Sequence, residues 1–307
     1  MNYLHIMRHV LIVGPVMAAV CALLSVFVVL RRMAMISEAV AHAGLGGLAL
    51  SLLLGYWCAF FQDSYWGLEL ITGGFCIGTA LLIGLFSRGR DVTLDSAIGI
   101  FLVASVAAGV VMLYVRKMLP GPNAMPMNPE SVLFGDINSV NGTDAWLICI
   151  VAVAVFAVVF LMLPSFIYTA MDEEMARVNG VKTWLVHLLL LIMVSTVIAV
   201  SARMVGTLMI NALMILPGAT ARMMSRRFGG VLAISLLVGV LGVTGSLLAS
   251  IFVFTDVPYL QAVPTGPILV LTLFLIFLTT WCVRKIQSRN RQKAGSRQEV
   301  SPAAQTN

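Results

Sequence analysis

The chain has 307 residues, of which 60% are hydrophobic and only 10% charged, and its mean hydropathy is +1.00. No water-soluble domain of this length has such a composition, so the sequence describes a polytopic membrane protein. A net charge of +6 would suit nucleic acid in a soluble protein. Here the basic residues sit in short loops and the carboxy-terminal tail, where they set membrane topology, and no nucleic-acid partner is expected.

Apolar segments of spanning length recur at roughly 10–30, 39–61, 67–86, 94–115, 145–163, 184–201, 204–221, 228–254 and 265–283. They predict an all-α bundle of about nine transmembrane helices, with the sixth and seventh hard to separate at Ala202-Arg203. The first run ends in Arg31-Arg32 rather than at a small-residue cleavage site, so it reads as a retained helix and not a signal peptide. With Arg31 and Arg32 placed inside and the spans alternating, 15 of the 19 basic residues fall on the inner side. The expected topology is therefore an external amino terminus and a cytoplasmic carboxyl terminus. Residues 1–283 form the membrane domain, and 284–307 read as a basic, disordered cytoplasmic tail drawn to anionic headgroups. The five cysteines all lie in apolar runs without C-x-x-C spacing, which suits small buried side chains.

The second segment carries the chemistry. Glu38 and His42 stand four residues apart, so a helix places both on one face, within reach of a common ion. His42 falls about 15 Å beyond Arg32 at the helical rise, near mid-bilayer if Arg32 marks the interface. Ionisable groups at that depth either pair with each other or line a pathway. Imidazole and carboxylate are also a partial ligand set for a divalent first-row metal, to be completed by water or a second subunit. An incomplete set suits an ion that must leave again. Gly44, Gly46 and Gly47 follow directly and either pack tightly or loosen the helix.

Other polar residues are weaker candidates. Asp95 opens the fourth segment, where capping competes with ion contact. Asn211 lies mid-segment and suits an interhelical hydrogen bond, with metal contact the lesser reading. Glu69, His187 and Arg203 sit at segment ends, where a solvated side chain is expected. Pro217 is expected to break the seventh helix at the inner face, leaving a basic amphipathic piece from Ala219 to Phe228. That piece, with Thr220, Ala221, Arg222, Arg226 and Arg227, is either a positive-inside turn or a docking element for a cytoplasmic partner. The loop from Asp172 to Val181 begins with acids and ends in Gly180, as a short capped helix does. Gly180-Val181-Lys182-Thr183 looks superficially like a phosphate loop but lacks the glycines that such a loop requires. Any use of ATP must come from another polypeptide.

Four stretches taken together resemble the membrane permease of the zinc/manganese/iron uptake family of ABC transporters. They are Arg32 to Ala43, Leu133-Phe134-Gly135-Asp136-Ile137, Asp172 to Val181, and Val205-Gly206-Thr207-Leu208 through Arg222. Ile98-Gly99-Ile100 fits as well, and the resemblance runs from about residue 10 to 283. Many members have Asp where this chain has Glu38, and Leu-Pro-Gly where it has Leu45-Gly46-Gly47.

The resemblance implies a multi-pass protein of the bacterial cell (inner) membrane that pairs with a second permease, of the same chain or a sister chain. It also implies two cytoplasmic ATPase subunits and an external metal-binding protein that delivers the ion. It puts Glu38 and His42 in the metal path and the segment after Pro217 against the ATPase. The expected function is import of a divalent metal by alternating access, with no covalent chemistry and no resident cofactor in this chain. A proton-coupled secondary transporter with Glu38 as proton carrier, and a non-transporting membrane scaffold, are the rival readings.

Overall fold

A computed structural model of the chain describes residues 3–57, 65–88, 92–119, 142–254 and 265–299. All regular elements among these residues are helices: α1 (Tyr3–Leu30), α2 (Ile36–Leu54), α3 (Tyr65–Phe86), α4 (Leu94–Met118), α5 (Gly142–Leu161), α6 (Leu163–Met171), α7 (Glu173–Val178), α8 (Thr183–Val205), α9 (Thr207–Met224), α10 (Phe228–Phe254) and α11 (Thr265–Glu299). Eight of them are long and apolar enough to cross a membrane, and α5 with α6, bent by 70°, makes a ninth crossing if the pair is one span.

The bend has a covalent cause. Pro164 stands in the first turn of α6, where its missing N–H and its ring deny the preceding turn a continuous hydrogen-bond ladder. Pro217 behaves differently, and the break expected there does not occur. Helix α9 runs through it to Met224, with Pro217 buried. At that point α1 is pressed against α9. The buried Gly218 N–H donates to Ser25 Oγ at 2.8 Å, so a hydroxyl from α1 serves the strand of backbone beside the proline. Ser235 on α10 in turn donates to the Ala22 carbonyl at 2.7 Å. Small and hydroxylated side chains thus tie α1 to both neighbours.

Two helices form the centre of the bundle. In α1 and α2 67% of each spanning window is buried, whereas α4 and α11 bury only 17% of theirs. Helix α2 lies against α3 and α4, α1 against α9 and α10, and α8 touches both groups. Phe27 at the end of α1 packs on Phe166 of α6 at 5.2 Å and Phe228 of α10 at 5.8 Å, fixing those elements around one end of the bundle.

Gly46 and Gly47 do not loosen α2, which is unbroken from Ile36 to Leu54. They permit close approach instead. A Cβ on Gly47 would come within 2.7 Å of the Thr72 Cα, and one on Gly46 within 3.1 Å of the Ser105 carbonyl oxygen. Gly206 is the sole residue between α8 and α9, and its φ of 87° is a conformation that only glycine adopts without strain. By contrast, a Cβ on Gly74 or Gly78 would meet nothing within 4 Å among the described residues.

The last helix also departs from expectation. The polypeptide is helical well beyond Arg284, since α11 continues to Glu299, and the irregular tail expected from residue 284 is helical over its first part. The Leu133–Ile137 motif lies outside the described residues.

Candidate metal path and cytoplasmic face

Arg31 to Met35 reverse the chain between α1 and α2, with Arg32 held at a φ of 57°. Helix α2 begins only at Ile36, so Glu38 lies in its first turn. His42 is then about 9 Å along the axis from the helix start, at the standard rise. Both side chains are half-buried, while Ser37, Ala39, Val40, Ala41 and Ala43 around them are buried. Glu38, His42 and Leu45 therefore form one open stripe on a helix whose other faces are packed, as the spacing of four and three residues requires. A carboxylate in the first turn also suits the positive end of the helix dipole.

Among the described residues no group of three or more His, Cys, Asp and Glu comes together in a metal-holding arrangement. Glu38 and His42 are the partial set on this helix, and the other candidates do not join them. Asp95 is exposed in the first turn of α4, and the cap of that helix is Thr93, whose hydroxyl accepts from the Ser96 N–H at 3.3 Å. Asn211 is half-buried in α9, and its buried side-chain oxygen has no hydrogen-bond partner among the described residues. Thirteen positions from Met224, Asn211 is roughly 20 Å from that end of α9.

The opposite expectation, a docking element after Pro217, divides in two. Pro217, Thr220 and Ala221 are buried within the chain, against α1 and α10, and offer no surface. Ala219 is half-buried, and Arg222, Arg226 and Arg227 are exposed. A second surface was missed by sequence reading. Short helix α7 is closed at both ends by its own residues. Asp172 Oδ1 accepts from the Glu174 and Met175 N–H groups, each at 3.0 Å. At the other end Val181 N–H reaches the Ala176 carbonyl and Gly180 N–H the Arg177 carbonyl, both at 3.0 Å, with Gly180 at a φ of 78°. Only Ala176 is buried in this helix. Tyr168 and Met171 on α6 and Met175 and Val178 on α7 are exposed at 53%, 69%, 58% and 82%, apolar side chains left uncovered by the described residues. The signal was present in the sequence: apolar residues at spacings of three and four inside a charged, capped segment.

Between α7 and the bundle lies a pocket of about 980 Å³. Its lining includes Arg31, Arg88, Arg177 and Lys182, four basic residues that charge counting assigned to one side of the membrane. Arg177 pairs with Glu173 at 2.9 Å and its Nε donates to Thr183 Oγ1 at 3.2 Å. Burial by itself would raise the Glu173 carboxyl. The hydrogen bonds from Arg177 and Thr183, with the charges of Arg31 and Arg177, outweigh that and hold it below its usual 4.5. Burial pushes the Arg31 guanidinium below its usual range, against the pull of the Glu173 charge.

A bundle of eight or nine candidate transmembrane helices defines a polytopic membrane protein by class. The chain belongs to the ABC 3 transport family, whose model matches residues 3–284. It is 28% identical over 203 residues to the manganese transport system membrane protein MntC of Halalkalibacterium halodurans, a stretch that is 66% of this chain and 64% of that one. It is 27% identical over 207 residues to the manganese import system permease protein ScaB of Streptococcus parasanguinis, covering 67% of each. The chain thus spans about two thirds of the length of these curated relatives. The fold matches PsaBC from Streptococcus pneumoniae, solved in complex with Fab, with a TM-score of 0.72 and 25% identity over 90% of this chain and 91% of that one.

Proposed function

We propose that the chain is the permease of an ATP-driven importer that carries a divalent first-row metal, manganese before zinc or iron, across the bacterial inner membrane. The observation that carries this reading is the open stripe of Glu38 and His42 on α2, in a chain whose curated relatives are named as manganese permeases. Two donors hold a divalent ion weakly, and the missing ligands come from water or from a second permease facing the stripe. Asn211, with its unpartnered oxygen, is a further donor deeper in the bundle, and Asp95 a remote one near its surface.

The second permease is a copy of this chain or a sister chain. A Cβ at Gly74 or Gly78 meets nothing within 4 Å among the described residues, which leaves room for such a partner to pack closely there. The amino terminus is external and the carboxyl terminus cytoplasmic, with residues 1–283 as the permease domain and 284–307 as a basic tail. ATP is hydrolysed on separate cytoplasmic subunits, and an external binding protein delivers the metal. The ATPases dock on the apolar patch of α6 and α7, flanked by Ala219, Arg222, Arg226 and Arg227 at the end of α9. Because α7 leans on the pocket that contains Arg31, a push on α7 reaches the turn from which α2 starts.

The test is uptake of labelled manganese and zinc by cells expressing the whole system. The intact chain is compared with His42→Ala at matched membrane abundance, each metal alone and in competition. Loss of uptake at preserved abundance supports the metal path, and the better competitor names the substrate. Unchanged uptake refutes the role of His42. Uptake that persists without the ATPase subunits and collapses with an uncoupler identifies a proton-coupled carrier instead.

A further inference from the structure

We propose that the pocket between α7 and the α1–α2 turn is an anion site for a phosphate ester, whether presented by an anionic phospholipid or by a soluble phosphate compound. It is separate from the Glu38/His42 stripe and does not depend on which ion is carried.

The charge balance is the first argument. Arg31, Arg88, Arg177 and Lys182 line a single void, with Glu173 as the described carboxylate among its lining residues. That carboxylate is engaged by Arg177. No described carboxylate lies within ion-pair distance of Arg31, Arg88 or Lys182. Like charges gathered around a cavity repel, and an anion between them removes that cost.

Arg31 supplies the second argument. Its Nη1 is buried and has no hydrogen-bond partner, although a guanidinium presents five donors. A buried unpaired donor of this kind is destabilising, and an acceptor oxygen in the pocket would relieve that cost.

Shape and preorganisation complete the case. Arg88 lies 5.1 Å over the Trp184 ring, and Trp184 stacks on His187 at 6.1 Å, so Arg88 is fixed at the wall without using up its donors. Several forked donors around one void match a group with three or four acceptor oxygens better than a single carboxylate. The volume far exceeds that of a bare phosphate, and Met33, Leu94 and Met171 add an apolar side that suits a glycerol backbone. Such a ligand bridges Arg31 in the α1–α2 turn to Arg177 on α7 and Lys182 just after it, and so couples the two elements.

The experiment uses the purified full chain in neutral detergent. Native mass spectrometry and thermal unfolding are followed during titration with phosphatidylglycerol, with phosphatidylcholine as the zwitterionic control. Parallel titrations use inorganic phosphate and glycerol 3-phosphate. The variant Arg88→Gln/Lys182→Gln removes two exposed pocket cations with little risk to folding, and Arg31→Gln removes the half-buried one. Arg284→Gln/Lys285→Gln removes equal charge at the surface of α11. Retained phosphatidylglycerol adducts and a stabilisation that falls tenfold or more in apparent affinity in the pocket variants, but not in the α11 variant, support a lipid headgroup site. The same pattern with glycerol 3-phosphate or phosphate alone supports the site with a soluble ligand. Equal binding of phosphatidylcholine, an equal loss in the α11 variant, or no response to any phosphate overturns the proposal.

Discussion

Replacing Asp172 by alanine probes the link between local structure and transport most directly. Asp172 caps α7 through two hydrogen bonds of 3.0 Å to the Glu174 and Met175 N–H groups. Loss of such a cap costs about 1 kcal/mol, with a range of roughly 0.5–2. A helix of six residues is far below the length of about 12–15 at which a helix holds in water by itself, so it has little reserve. At about 1.4 kcal/mol per tenfold change, the cap accounts for about a fivefold shift in the local opening equilibrium, and at most about thirtyfold. Hydrogen exchange of the full chain should therefore show protection at Ala176 to Gly180 falling by about that factor in Asp172→Ala. Asp172→Asn, which keeps the accepting oxygen, should stay near the parent. If α7 is the docking surface, ATP-driven uptake falls in parallel with protection while membrane abundance holds. Protection unchanged in Asp172→Ala would refute the capping argument. Lost protection with full uptake would refute the assignment of α7 to docking.

Gly47→Val sets three heavy atoms where a lone Cβ already meets Thr72 at 2.7 Å, so thermal unfolding in detergent should show a destabilisation of about 1–3 kcal/mol or loss of the folded protein. Gly74→Leu, where a Cβ meets nothing within 4 Å among the described residues, should leave monomer stability unchanged but weaken permease pairing by tenfold or more in analytical ultracentrifugation. The fold depresses the Glu173 carboxyl below 4.5, so its contribution is complete above that value and fades as pH falls through the lowered folded value. Exchange protection of α7 should accordingly drop on acidification below about pH 4.5 in the parent but show no such step in Glu173→Gln. An identical acid profile in both would show that Glu173 is not responsible.

The chain's spans and the ends of α7 were legible in the sequence because the forces behind them are local. A bilayer requires roughly twenty apolar residues per helix whatever surrounds them, and the caps of α7 are hydrogen bonds among residues at most five apart. The shared face of Glu38 and His42 is equally local, since the helical repeat alone puts them there. Everything that depends on a neighbour was decided by the tertiary structure. Pro164 bends its span while Pro217 leaves α9 continuous, with Ser25 of α1 bonded to the Gly218 N–H beside it, and the proline itself carries no mark of the difference. Gly46 and Gly47 became a contact surface through the positions of Thr72, Phe75 and Ser105, which lie tens of residues away. The cationic pocket draws its wall from α4, α6, α7, α8 and three connecting segments, so no window of sequence contains it. Local hydrogen bonding and solvent transfer are properties of a segment, whereas packing and charge clustering are properties of which segments meet.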